Sequence, residues 1–195
     1  ASGSSHSMNR RATPTPAALK QASWTVTHAA RSLPENDTLL QPRFAKLTSQ
    51  TNIVPTAAKP FKAAQATSRL ALTLQLLAAN KAAPESVRAH PAAADFPGAV
   101  PATAPRITRQ VSVDTAVPRW HSTGLYAAPG EVITVNLPAA ATGQKLRVRI
   151  GCHADGLWQK DSWSRAPELT RTVMLKDTET KIASAFGGLL YVEVP

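Results

Sequence analysis

Residues 131–150 read Glu131-Val-Ile-Thr-Val-Asn-Leu-Pro-Ala-Ala-Ala-Thr-Gly-Gln-Lys-Leu-Arg-Val-Arg-Ile150. Ile133, Val135 and Leu137 fall on every second position. Leu146, Val148 and Ile150 do the same, interleaved with Lys145, Arg147 and Arg149. A period of two sends alternate side chains to opposite faces, so each run reads as a strand with one buried and one wet face. The alternation recurs at Ile107, Arg109, Val111 and Val113, and again at Leu190, Val192 and Val194. Pro129-Gly130, Thr142-Gly143, Asp155-Gly156 and Gly187-Gly188 separate the runs and supply turn chemistry. Short alternating strands with regular turns predict an antiparallel β-sandwich-like domain over 107–195. Trp120, Leu125, Tyr126 and Tyr191 are expected to fill it.

Upstream the pattern changes. Residues 1–16 have almost nothing to bury and are expected to be disordered or an expression scar; no apolar signal core is present there. Residues 17–83 form a helical segment on this reading. An Ala-rich helix over 17–33 follows Pro16 and stops at Pro34, and Glu35-Asn36-Asp37 reads as a turn. A second helix over 67–82 is capped by Thr67 or Ser68, with Leu70, Leu74 and Leu77 on one row and Leu72 and Leu76 on another. Pro84, Pro91, Pro97, Pro101 and Pro105 then mark 84–106 as a Pro/Ala-rich linker between separately folded units. The fold class is therefore α+β: a small helical N-terminal segment, a Pro-rich linker and an antiparallel β domain.

Charge divides the 195 residues in the same place. Residues 1–106 hold 12 basic and 4 acidic groups, net +8, whereas 107–195 hold 10 and 8, net +2. The basic groups of the first part are scattered and almost free of aromatic neighbours, so nucleic acid is not the expected partner. No apolar run approaches the roughly 18–20 residues that cross a bilayer, so no membrane span is expected. Cys152 is the single cysteine, which excludes an internal disulfide framework and a cysteine-rich zinc module. His-Glu-x-x-His is absent, as are Gly-x-Ser-x-Gly, the P-loop and Gly-x-Gly-x-x-Gly. Cys152-His153 offers two adjacent donors, but neighbours on a strand point apart and a zinc site needs three or four. No catalytic residue, metal site or cofactor is assigned to this chain.

Candidate ligand-binding residues remain. Arg147 and Arg149 with Lys145 form a cationic strand face suited to an anionic or sugar ligand. The plainer reading is a solvated face paired with acids such as Glu131 or Glu193. Trp158 and Trp163 lie in a loop between strands, where an indole can stack on a sugar or dock a neighbouring domain. Lys160 and Arg165 beside them can hydrogen-bond hydroxyls.

One ordered set is more specific. Arg119-Trp-His-Ser-Thr-Gly-Leu-Tyr-Ala-Ala-Pro-Gly-Glu131 is followed by Arg149-Ile-Gly-Cys-His153, Arg165-Ala-Pro167 and Phe186-Gly-Gly-Leu-Leu-Tyr-Val192. Over about residues 106–195 this resembles the front end of the enhancin-like zinc metallopeptidases, metallopeptidase family sixty, of the gluzincin and mucin-degrading type. The resemblance implies a β-rich, non-catalytic part that supports or shapes a downstream catalytic domain. That domain of the same polypeptide would carry the zinc and the His-Glu-x-x-His motif, neither of which has a counterpart here. The resemblance further implies a secreted or bacterial cell-surface or periplasmic protein acting on mucin-like or other O-glycosylated proteins. The alternative is a stand-alone glycan- or protein-binding module.

Overall fold

A computed structural model describes residues 14–29, 32, 37–39, 41–49 and 53–195. Most of the expected disordered start, and most of the Glu35–Asp37 turn, lie outside the described residues. Helix α1 spans Pro16–Ala29. Thr15 caps it, its Oγ1 accepting from Ala18 N at 3.2 Å, and Pro16 takes the first helical position, where its missing N–H costs nothing. Helix α2 spans Gln41–Thr48 and α3 spans Ala66–Lys81. The start of α3 is uncapped by any side chain; Gln65 precedes it, and Thr67 and Ser68 lie inside the first turn rather than before it. Ala71, Leu72, Thr73 and Leu74 are all buried, so α3 is covered on several sides at its middle. Alanine lets α1 come close, and Ser23 Oγ donates to Ala66 O at 2.9 Å.

Residues 84–106 differ from the linker that their prolines predict. They include two single-turn 3-10 helices, Pro84–Ser86 and Pro91–Ala94. Val87, Ala92 and Ala93 are buried with Leu72 and Leu76 of α3 and with Trp163, Leu169 and Phe186 from the β-rich half. One apolar core therefore joins the two halves. Prolines and alanines suit an open linker, yet their small side chains also allow the backbone to sit against α3.

His90 fastens that junction. Its backbone N–H donates to Ala185 O at 2.8 Å, and its ring stacks on Phe186 with centroids 5.0 Å apart. Ala92 N donates to Nδ1 at 3.1 Å, so the neutral ring carries its proton on Nε2, 3.0 Å from Gln75 Oε1. Gln75 Nε2 donates in turn to Thr48 O at 3.0 Å, which ties in α2.

The β-rich half holds the antiparallel sheets that the alternation predicts. β2 (Arg119–Ala127), β4 (Arg147–Ile150), β6 (Arg171–Met174) and β8 (Gly188–Val194) form a sheet in the order β2-β8-β4-β6. β3 (Val132–Asn136) pairs with β7 (Glu179–Ala183), and β1 (Phe61–Lys62) pairs with β5 (Ser162–Trp163). Val148, Ile150, Leu190 and Val194 of the larger sheet share a second core with Ile182, Ile133 and Val135 of the β3–β7 pair.

Two expectations fail here. Residues 107–113 alternate as a strand would but join no ladder, and Ile107 is 63% exposed. Trp120 and Tyr126 do not fill the interior; they are 40% and 44% exposed. Trp120 instead covers the outer face of the larger sheet, 5.6 Å from Tyr191.

Burial lowers the pKa of His90 from 6.5 to about 4. Between these values the unfolded chain binds the proton and the folded chain does not. The contribution of the neutral ring is thus complete above pH 6.5 and is lost as pH falls through the window towards 4, by up to about 3 kcal/mol. Urea titrations across pH 4–7 should show this slope, and His90→Asn, which keeps an acceptor for Ala92 N, should flatten it by about one proton.

Candidate functional site

The long connection between β4 and β6, residues 151–170, is folded back onto the helical half. Phe61 and Trp163 are ladder partners, as are Lys62 and Ser162. Ala63 N extends the contact by donating to Asp161 O at 2.8 Å. Arg69, in the first turn of α3, locks it: Nη1 donates to Lys160 O at 3.1 Å, and Nη2 to Asp161 O at 2.6 Å and Phe61 O at 2.9 Å. The guanidinium lies 4.5 Å over the Trp163 ring, a cation–π contact. Burial lowers the pKa of this arginine, with Asp161 pulling the other way.

Trp158 meets Trp163 edge-on, with centroids 5.5 Å apart and planes at 87°. Helix α1 supplies the facing wall with Lys20 and Trp24. Between these walls is a cleft of about 390 Å³, lined by Trp24, Trp158, Trp163, Lys20, Arg69 and Lys160, with Asp161 the one carboxylate among the described residues that line it. The volume falls within the about 300–1,000 Å³ of small-molecule sites. Among the described residues three buried side-chain nitrogens lack an acceptor, and two of them, Arg69 Nε and Trp163 Nε1, belong to residues lining this cleft.

The structure separates the six candidate residues read from the sequence. Trp158, Trp163 and Lys160 come together in the cleft. Trp163, 4% exposed, is its floor rather than a free stacking platform. Arg165 is directed elsewhere, held by Asp155 Oδ2 at 2.7 Å and by Ala166 O at 2.9 Å, 5.6 Å from the Phe96 ring. Arg149 is consumed by structure. It pairs with Glu193 at 3.0 Å, donates to Gly151 O and His153 O at 2.9 Å, and lies 3.9 Å over the Trp120 ring. Arg147 is exposed on that same outer face, opposite Glu193. Lys20, Trp24 and Arg69 escaped the sequence reading. Their only signal was an indole within an Ala-rich helix, and nothing local states which distant loop that helix will meet.

The motif residues have structural employment. Thr123-Gly124-Leu125 forms a β-bulge between Ser122 and Tyr126, where the β2–β8 register shifts; Thr123 Oγ1 donates to Leu190 O at 2.9 Å and accepts from Leu125 N at 3.2 Å. The Gly187-Gly188 pair threads between two other backbones. A Cβ on Gly187 would lie 2.8 Å from Pro129 N, and one on Gly188 2.8 Å from Gly151 Cα; the φ angles are +67° and +139°. Cys152 is exposed, and His153 Nδ1 lies 3.6 Å from Asp155 Oδ1. Among the described residues no three His, Cys, Asp or Glu side chains converge on a point that could hold a metal.

This β-rich half with its glycine pinch is a recognisable module: residues 102–195 match the N-terminal domain of M60-like peptidases. Among curated proteins, mouse TRPM8 channel-associated factor 3 is 42% identical over 99 residues, 51% of this chain and 11% of the relative. Its rat counterpart and human TRPM8 channel-associated factor 2 are each 46% identical over 76 residues, 39% of this chain and 8% of each relative. The chain thus spans about a tenth of the length of the relatives it matches. No solved structure matches.

The pinch makes a sharp prediction. Gly188→Ala should cost about 2–3 kcal/mol of unfolding free energy, read from denaturant titration, since a side chain there both strains φ and collides with backbone. Gly143→Ala, with nothing within 4 Å of the new methyl, should change stability by no more than about 0.5 kcal/mol.

Proposed function

We propose that the chain is the non-catalytic N-terminal part of a zinc metallopeptidase of the M60-like kind, and that its tryptophan cleft holds carbohydrate of a mucin-like or other O-glycosylated substrate. The match of residues 102–195 to the N-terminal domain of M60-like peptidases supports the first statement. The cleft lined by Trp24 and Trp158 supports the second, because indole faces pack on the apolar faces of sugar rings while nearby amines and backbone groups meet hydroxyls. On this reading the β-rich, sandwich-like half supports a downstream catalytic domain, and zinc belongs to that domain. The protein works outside the cytoplasm, secreted or at a bacterial surface or periplasm, where such glycoproteins are met. Among the described residues no helix is long and apolar enough to cross a membrane.

A second reading is a stand-alone binding module for a protein partner. It has its own observations: the relatives are named for association with a channel, and Tyr126 and Leu189, ladder partners on β2 and β8, are 44% and 41% exposed.

Titration with mucin glycopeptides separates the two. Trp24→Ala and Trp158→Ala should each weaken binding about tenfold, ~1.4 kcal/mol. Unchanged binding in both variants would remove the cleft from the function, and losses confined to Tyr126→Ala and Leu189→Ala would favour the protein-docking module. Metal analysis of the purified chain should find no stoichiometric zinc; a tightly held ion would overturn the non-catalytic assignment.

A further inference from the structure

We infer that the tryptophan cleft selects acid-bearing saccharides, sugars carrying a carboxylate or a sulfate, over their neutral parents. This rests on the carbohydrate reading above and adds a charge specificity to it. The observation is the set of charges that lines an indole-walled cleft. Lys20 from α1 and Lys160 from the loop stand on its walls with Arg69, against the single carboxylate of Asp161.

Four described cations elsewhere are matched at close range. Arg149 pairs with Glu193, Arg165 with Asp155, Arg106 with Glu131 and Lys181 with Glu85. Neither Lys20 nor Lys160 has an ion-pair partner among the described residues. Arg69 has placed its outer nitrogens on three carbonyls and so neutralises no carboxylate outright.

Three like charges around one small cleft repel one another and make it electropositive. A neutral sugar leaves that repulsion in place. A sugar bearing one anion relieves it, and its ring still offers an apolar face to Trp24 and Trp158. Two lysines from separate elements, one on α1 and one on the loop, also give the site an orientation: the acid end is held between them while the ring lies along the indoles.

The test is calorimetric or fluorescence titration of the purified chain at low ionic strength. The probes are one oligosaccharide in neutral, sialylated and sulfated forms. The acid-bearing forms should bind at least fivefold more tightly than the neutral parent, and added salt should narrow the gap. Lys20→Ala/Lys160→Ala should bring the ratio close to one, and Lys59→Ala, outside the cleft, should leave it intact. Preference for only one of the two acids supports the inference and identifies its source. Equal affinity for all three forms, still sensitive to Trp158→Ala, would overturn the charge selectivity and leave the carbohydrate reading standing. Absence of binding to any form would overturn both. A single-stranded oligonucleotide binding as tightly as the acidic sugars, with the same lysine dependence, would show unspecific polyanion attraction and overturn the selectivity.

Discussion

Arg69 sets a guanidinium against a buried indole and divides its outer nitrogens among the carbonyls of Phe61, Lys160 and Asp161. Those carbonyls belong to β1 and to the loop that leads into β5, so one side chain on α3 closes the helical half onto the β-rich half. A lysine could not substitute. Its ammonium presents three donors from a point, whereas the planar guanidinium forks to separated acceptors while its face stays on the ring. Taking the charge partly out of water is costly, and the lowered pKa reflects that cost; the three carbonyls and the Trp163 face offset it. The cleft exists because of this tie. Beside it, the two-residue β1–β5 ladder, the Ala63–Asp161 hydrogen bond and the burial of Trp163, Ala166 and Leu169 hold the loop to the helical half.

The parts of the fold legible in the sequence are those in which local periodicity and tertiary environment agree. The apolar rows of α3, the alternation of β3, β4 and β8, and the Pro-Gly and Gly-Gly turns each carry their own signal. Legibility fails where the same local pattern serves two environments. Prolines and alanines at 84–106 describe an open linker as well as they describe short 3-10 turns whose methyls are buried against Leu72 and Phe186. Residues 107–113 alternate, but a strand needs a partner's edge, and none of the sheets gives it a ladder. Burial of Arg149 and exposure of Trp120 both follow from the way the outer face is finished, with the indole laid over the guanidinium, and no period records that. Half of the cleft was legible for the same reason: Trp158 and Lys160 sit in a recognisable loop, but Trp24 and Lys20 reach it only through the packing of α1 on α3.

The residues that carry the family resemblance and those that build the cleft are largely different sets, and this bears on how function is assigned. Gly124, Gly151, Gly187 and Gly188 lie at a bulge and at close backbone crossings, so the pattern they form specifies a chain path. It says how the strands meet and nothing about what is bound. The cleft straddles the boundary of the matched region. Trp158, Trp163 and Lys160 lie within 102–195, whereas Lys20, Trp24 and Arg69 lie before it.

A domain with the same strands but without α1 and α3 would keep the loop and lose the opposing wall, the guanidinium clamp and one of the two unpaired lysines. Membership in a structural module and possession of this site are therefore separable properties. The helical half completes the cleft, because α1 packs on α3 and α3 shares its core with the β-rich half. Lys20, Trp24 and Arg69 lie before residue 102, so sequence identity across the β-rich half alone is no guide to whether a relative shares the cleft.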